Sequence, residues 1–225
     1  MGLIRIRRGK EPDSLLQYRK STPNACYEEL PPKPREDIRR QMWEEQKGLC
    51  AYCMRQINHP EDVRIEHYSA RNPEGGIYSA ADTLDYKRML GVCYGNSIQP
   101  GVKEEDKTCD AHRRNIPLTI NPYQVSSIRK IRYTSDGYIT SDDADIKTDV
   151  EETLNLNCAA SSLPENRKNV LCQAKREIRK ICGNKNHDAY LAILARIYKR
   201  YVEEEMLTPY CGIVIAWLED QLGIQ

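Results

Sequence analysis

Four cysteines, arranged as a close pair and a distant pair, constrain the fold of this chain more than any other feature of its sequence. Cys50 and Cys53 stand at CxxC spacing, and Cys93 and Cys109 follow with 15 residues between them. Thiolates at CxxC spacing can reach one ion, and two further cysteines complete the tetrahedral set that structural zinc requires. The sequence therefore predicts a structural Zn²⁺ site held by these four residues.

A thioredoxin-like redox pair is the main alternative for Cys50 and Cys53. Redox CxxC motifs open a helix after a strand, whereas this motif follows Gly48, the stop signal of a helix predicted over Arg35 to Lys47. Nine cysteines in a chain of this length favour a reducing compartment over a disulfide framework. The remaining five lack tight ligand spacing and are predicted to be small buried side chains: Cys26, Cys158, Cys172, Cys182 and Cys211.

Composition is typical of a globular protein. The 225 residues are 40% hydrophobic and suffice for one sizeable domain or two small ones. The formal net charge of +1 does not favour nucleic-acid binding over the whole surface, so such affinity requires local patches or a partner. Charged residues interrupt the N-terminal apolar stretch too soon for a signal peptide. The longest apolar run, Ile213 to Leu218, is too short to cross a bilayer. The protein is expected to be soluble and cytoplasmic, with no membrane association.

Hydrophobic periodicity and turn signals predict an α+β fold. A strand is expected over Val63 to Glu66, a β-hairpin within Ile128 to Thr140, and helices from Ser162 onward, where Ser162 and Glu165 suggest a capping box. Four regions follow one another: an N-terminal extension with a lead-in helix (1–47), a zinc-bound core (48–120), a hairpin and connector (121–160), and a helical region (161–225).

The helical region carries five large aromatic side chains in its last part. Two further helices are predicted there, over roughly Asp188 to Met206 and around Ile213 to Leu222. Amphipathic rings are enriched at interfaces, so this surface is a candidate for docking a partner; the alternative is that the rings cover the protein's own core. The five residues are Tyr190, Tyr198, Tyr201, Tyr210 and Trp217.

Glu66 and His67, at the end of the predicted strand, form the candidate reactive pair. A histidine near its ordinary pKa can take a proton from water at neutral pH, and the adjacent carboxylate can hold a divalent cation. His112 follows Cys109 closely and is a second candidate ligand for that ion, with Asp110 as the alternative. An acid-histidine pair bracketed by zinc ligands indicates phosphodiester chemistry assisted by a metal ion.

Two basic residues follow His112. Arg113 and Arg114 are candidates for contacts with nucleic-acid phosphates. The alternative is a solvated charged turn.

These motifs, in this order, resemble those of the HNH endonucleases. They are Gly48-Leu49-Cys50-Ala51-Tyr52-Cys53, then Ile65-Glu66-His67, then Asp85 to Cys93, within a span from Gly48 to about Asn115. The likeness is greatest to the PtuB family, the HNH subunits of bacterial Septu anti-phage systems, which also occur attached to some retrons. The resemblance implies a zinc-stabilised ββα-metal fold and an enzyme that hydrolyses nucleic acid. DNA is the expected substrate, and RNA is the alternative.

The resemblance also implies roles for the site residues. His67 would be the general base, Glu66 and His112 would hold a catalytic Mg²⁺ or Mn²⁺, and the four cysteines would hold zinc. One departure concerns Arg88, which stands where the family has an asparagine that helps to orient the base histidine. The arginine either removes that support or replaces it with a phosphate contact.

Partners are implied by the same resemblance. A PtuA-type ATPase would supply recognition and restraint, and a retron reverse transcriptase with its RNA–DNA product is a further candidate. The loss of the middle asparagine favours the alternative function, a non-catalytic zinc module that binds nucleic acid or protein.

Overall fold

The chain has an α+β architecture, as the sequence predicts. A computed structural model describes residues 3–69, 83–183 and 186–224. The helices in these ranges are α1 Asp13–Ser21, α2 Pro32–Glu45, α3 Asp110–Arg113, α4 Val125–Ile128, α5 Ala144–Thr148, α6 Leu163–Cys182, α7 His187–Glu203 and α8 Gly212–Leu222. The strands are β1 Arg64–His67, β2 Met89–Val92, β3 Ile131–Tyr133 and β4 Ile139–Ser141.

Strands β1 and β2 form an antiparallel pair that precedes the short helix α3. Arg64 lies opposite Val92, and His67 lies opposite Met89. The predicted strand over Val63 to Glu66 is therefore present, shifted by one residue toward its C-terminal end. This shift places His67 within the paired strand rather than beyond it.

Helix α2 brings the chain to the cysteine motif. It starts at Pro32, before the predicted start, because proline is tolerated in the first helical turn, and it buries Ile38 and Met42. The helix is followed by Gly48, whose φ of +76° favours glycine and whose amide donates to the Trp43 carbonyl at 2.9 Å. The predicted helix stop is confirmed, and Cys50 follows two residues later.

The residues between Cys93 and Cys109 form a surface insertion, as predicted. Its ends are held together, since the Thr108 amide donates to the Gly95 carbonyl at 3.0 Å. A Cβ at Gly95 would lie 2.0 Å from the Thr108 carbonyl oxygen, so only glycine fits this approach. The two cysteines are thereby brought close without help from the exposed part of the insertion.

Helices α6, α7 and α8 pack into the same hydrophobic core as the rest of the described chain. Their existence is confirmed, but the capping box is wrong, because Ser162 has a φ of +54° and its side chain caps no amide. Of the five aromatic residues, Tyr201 and Tyr210 are buried, and the other three are partly buried against the core. All five rings pack against the protein's own core, and docking of a partner on the exposed parts of Tyr190, Tyr198 and Trp217 stays a prediction.

The end of the chain also contacts the cysteine motif directly. The Tyr210 amide donates to the Met54 carbonyl at 2.9 Å, and the Leu207 amide donates to the Lys47 carbonyl at 3.3 Å.

The predicted hairpin is present as β3 and β4, with Tyr133 opposite Ile139. In the described ranges, no helix combines the length and the apolar character needed to span a membrane.

Candidate metal centre and reactive site

The Cys50–Cys53 motif folds into a tight turn. The Met54 amide donates to the Cys50 carbonyl at 3.0 Å, and the Cys50 amide donates to the Arg55 carbonyl at 3.0 Å. Met54 takes a positive φ of +58°, which lets the Arg55 amide donate to the Cys53 sulfur at 3.5 Å. An amide aimed at sulfur stabilises a thiolate more than a thiol, so the turn is suited to metal binding.

Four buried sulfur atoms meet in one cluster. The Sγ atoms of Cys50 and Cys109 are 3.9 Å apart, those of Cys53 and Cys93 are 3.7 Å apart, and those of Cys93 and Cys109 are 3.9 Å apart. A tetrahedral Zn²⁺ with bonds of about 2.3 Å requires sulfur atoms about 3.8 Å apart, whereas a disulfide requires about 2.05 Å. The predicted cysteine cluster is confirmed, and its geometry fits zinc.

The cluster connects elements that are distant in sequence. Cys93 directly follows β2, and Cys109 directly precedes α3, where its φ of +56° turns the chain into the helix. The Cys109 amide donates to the Leu154 carbonyl at 2.8 Å. A metal ion in the cluster would therefore hold the CxxC turn, the β1–β2 pair and α3 together.

The thiols of the cluster share their protons unevenly in the absence of metal. Burial would raise the pKa of Cys50, but hydrogen bonds to the other three thiols hold it well below its usual value. The pKa of Cys109 is raised well above its usual value, first by the Cys50 thiol and then by the remaining thiols and burial. Zinc binding would remove the remaining protons.

Glu66 is a buried carboxyl group at the centre of the second candidate site. Its Oε1 accepts a hydrogen bond from Nη1 of Arg113, with which it forms an ion pair, and another from the Tyr52 hydroxyl at 3.2 Å. Burial raises the pKa of Glu66 to about 8, the hydrogen-bonded Asp110 carboxyl acts in the same direction, and Arg113 opposes both. Each of the two carboxyl groups also has an arginine partner, Arg113 for Glu66 and Arg64, at 3.5 Å, for Asp110.

Asp110, rather than His112, is placed beside Glu66. Asp110 and Arg113 stand three residues apart on α3 and both contact Glu66, as neighbours on one helix face do. His112 is offset from Asp110 by about 200° on a helix with 3.6 residues per turn, and its Nδ1 lies 3.0 Å from the Thr153 carbonyl. Asp110 therefore lies on the side of α3 that faces Glu66, and His112 lies on another side; which of the two binds the ion stays a prediction.

A three-ligand cluster of Glu66, Asp110 and His112 is not formed. In the part of the chain that the structure describes, the four cysteines are the only group of three or more histidine, cysteine or acidic residues with ligand atoms close together. A divalent cation at Glu66 and Asp110 would take its other ligands from water and substrate, as Mg²⁺ commonly does.

Arg113 is a buried structural cation, and its predicted contact with nucleic-acid phosphates is wrong. Its side chain has 0% exposure. Besides Glu66, its guanidinium donates to the carbonyls of Ile116 at 2.8 Å and Tyr68 at 2.7 Å and to the Tyr52 hydroxyl at 3.2 Å. These contacts hold the end of β1 against α3.

Arg114 is exposed and pairs with Glu104 at 2.6 Å, so its phosphate contact stays a prediction.

His67 is buried and oriented by a backbone carbonyl. Its Nε2 lies 2.8 Å from the Thr83 carbonyl oxygen, and the Tyr27 ring packs edge-on against the imidazole with centroids 4.6 Å apart. A carbonyl oxygen only accepts hydrogen bonds, so Nε2 carries the proton and Nδ1 is the nitrogen that can take one up. The Tyr27 amide also donates to the Thr83 side chain at 3.2 Å, which connects the N-terminal extension to the site.

Three residues of this site were not predicted, namely Tyr27, Tyr52 and Thr83. Tyr52 lies between the two motif cysteines, which is a signal that sequence reasoning could have used.

Arg88 pairs through its side chain with Asp85 at 3.4 Å, and its carbonyl accepts the Tyr68 amide at 2.8 Å. Whether Arg88 takes over the role of an asparagine stays a prediction.

No known family model matches this chain, and no curated protein matches it.

Proposed function

We propose that this chain is a metal-dependent endonuclease of the HNH type, with zinc as its structural metal. The observation that carries the proposal is the junction of β1 and α3 beside the four-cysteine cluster. A buried histidine, whose Nε2 faces the Thr83 carbonyl, lies next in sequence to a carboxyl group that contacts Asp110. Base, oxygen ligands and structural cluster thus occur in one small region.

The proposed reaction is hydrolysis of a phosphodiester bond. Nδ1 of His67 accepts a proton from the attacking water, while the Thr83 carbonyl keeps the ring in the required tautomer. Glu66 and Asp110 would hold Mg²⁺ or Mn²⁺, whose charge stabilises the phosphoryl and leaving oxygens when it is bound. Arg113 positions Glu66, and Zn²⁺ at the four cysteines takes no part in the chemistry.

The proposed biological role is that of an effector in bacterial anti-phage defence with a PtuA-type ATPase. The sequence resemblance to Septu nucleases supports it, and the formal net charge of +1 is compatible with a partner that supplies nucleic-acid recognition. A retron reverse transcriptase remains a second candidate partner. Tyr190, Tyr198 and Trp217 are only partly buried against the core and are the proposed docking surface for this partner.

The test is cleavage of supercoiled DNA and of tRNA by the purified chain, alone and with the ATPase, in Mg²⁺ or Mn²⁺. His67→Ala is expected to lower the cleavage rate by about 10²- to 10⁴-fold, the usual contribution of a general base, with unchanged zinc content. His59→Ala is the matched control, because His59 is exposed at the start of a short 3₁₀ turn. This variant should cleave at the wild-type rate.

Two results would contradict the proposal. Cleavage by the His67→Ala variant at the wild-type rate would remove His67 from the reaction. Nucleic-acid binding without cleavage under every condition would favour the non-catalytic zinc module.

A further inference from the structure

Arg167, on α6, is a buried cation without an acid partner. It is 1% exposed, and its guanidinium donates to the carbonyls of Gly137 at 3.2 Å and Leu156 at 2.8 Å. Its Nε has no hydrogen-bond partner, and no carboxylate in residues 3–69, 83–183 and 186–224 forms an ion pair with it. Burying an unpaired charge is costly, so a negative charge is expected nearby.

Arg55 is half-buried and, in the part of the chain that the structure describes, likewise lacks an acid partner. Its guanidinium donates to the Asn96 side chain at 3.0 Å and to the Ser161 carbonyl at 3.2 Å. Within the described ranges, no acidic side chain pairs with it either. Its own amide points to the Cys53 sulfur, so this residue directly adjoins the metal cluster.

Cysteines of the cluster act to raise the pKa values of both arginines. Burial opposes ionisation of Arg55, but Cys53 and Cys93 raise its pKa. Burial lowers the pKa of Arg167, and Tyr133, Cys53 and Cys109 are among the groups that oppose this effect. Cys53 therefore acts on the pKa of both guanidinium groups.

One stretch of backbone positions the two arginines around the cluster. The Leu154 carbonyl accepts the Cys109 amide, the Leu156 carbonyl accepts Arg167, and the Ser161 carbonyl accepts Arg55. The connector between α5 and α6 therefore holds one zinc ligand and both cations in a fixed relation.

We propose that Arg55 and Arg167 neutralise the charge of a zinc tetrathiolate formed by the four cysteines. Four thiolates around Zn²⁺ carry a net double negative charge, and burying it requires compensation by cations. Two guanidinium groups supply an equal and opposite charge. The inference rests on the zinc site of the proposed function and assigns both arginines as positioning residues that act through the thiolates.

The test compares charge-removing and charge-keeping substitutions. Arg167→Gln and Arg55→Gln keep a polar side chain but lose the charge, whereas Arg167→Lys keeps the charge. Arg200→Gln is the control, because Arg200 is half exposed and forms its ion pairs with the surface residues Glu177 and Glu204; it also loses a contact with the Tyr201 ring, 5.5 Å from the centroid. Zinc affinity is measured by competition with a chromophoric chelator, and thermal stability is measured with zinc and after chelation.

Each glutamine variant is expected to bind zinc about 10- to 100-fold more weakly, as loss of residues that support metal ligands commonly does. Arg167→Lys and the control should stay near the wild type. The melting temperature should fall more in the zinc-bound form than after chelation, whereas a purely structural role would lower both equally. If Arg167→Gln does not fold, the Arg55→Gln variant decides.

Unchanged zinc affinity in folded glutamine variants, or equal destabilisation with and without zinc, would overturn this inference. A wild-type chain that binds no zinc would instead refute the zinc site itself. The two failures are therefore distinguishable.

Discussion

Replacing Arg113 with methionine removes the cation from the junction of β1 and α3. Methionine keeps much of the side-chain volume, so the change tests charge and hydrogen bonding rather than packing. The variant leaves the Glu66 carboxyl group with no cation partner in the described structure and leaves the Ile116 and Tyr68 carbonyls without their donor. We expect strong destabilisation.

The size of the effect follows from burial of the pair. The side chains of Arg113 and Glu66 are 0% and 8% exposed, so solvent does not screen their interaction. Removing one partner of a buried pair costs about 3–5 kcal/mol when both partners are charged, so the variants are compared at about pH 9, above the Glu66 pKa of about 8. In a domain of 150–250 residues, 1 kcal/mol shifts the melting temperature by about 2–4 °C, so the fall should be roughly 6–20 °C.

Differential scanning fluorimetry of the zinc-loaded variants measures this fall. Arg114→Met is the matched control, because Arg114 and its partner Glu104 are 68% and 59% exposed, and it should change stability by no more than about 0.5 kcal/mol. Adding Glu66→Gln to Arg113→Met should restore part of the loss, since it removes the buried acid. A melting temperature for Arg113→Met equal to that of Arg114→Met would refute the structural role.

Three further predictions concern the metals and the thiols. Cys109→Ser should lose zinc by elemental mass spectrometry and should melt at a lower temperature, because structural zinc contributes to the free energy of folding; full zinc occupancy would exclude the four-cysteine site. Asp110→Asn should raise the Mg²⁺ or Mn²⁺ concentration needed for cleavage more than His112→Asn does; the reverse order in a metal titration would restore His112 as the ligand. Burial raises the pKa of Cys211 to about 12, so its reactive thiolate is scarce at pH 8.5 and appears only as the pH approaches that value. Peptide mapping after iodoacetamide treatment at pH 8.5 should find the half-buried Cys172 modified and Cys211 intact, and equal modification would contradict this reasoning.

Local patterns in the sequence predicted the elements whose cause is local. CxxC spacing, the alternation that ends at Glu66, and the turn before Tyr138 each specify a short stretch of backbone, and the structure contains all three. The cluster was predictable as well, because zinc chemistry restricts which cysteines can meet. Helix α1 was missed although Leu15 is fully buried, since its apolar pattern is short.

Other features depend on contacts that no local pattern contains. The roles of Arg113 and Arg114 differ completely, and only the side of α3 that faces Glu66 distinguishes these adjacent residues. The three-residue spacing of Asp110 and Arg113 was the available signal for this face. The carbonyl of Thr83 has no sequence signature at all, because every residue has a carbonyl group. Ser162 resembles a helix cap in sequence, but a left-handed backbone takes its side chain out of reach of the first amides.

Because Gly95 pairs with Thr108, the surface insertion can change in length without changing the geometry of the cysteine cluster. Because the backbone closes on itself at these two residues, the chain between them acts as a loop on a fixed base. Gly101, at its far end, has nothing within 4 Å of the position of a Cβ atom. Lengthening a flexible loop costs little free energy, about 0.6 kcal/mol for each doubling. An epitope or fluorescent tag inserted at Gly101 would therefore report on this protein in cells while leaving its sulfur cluster intact.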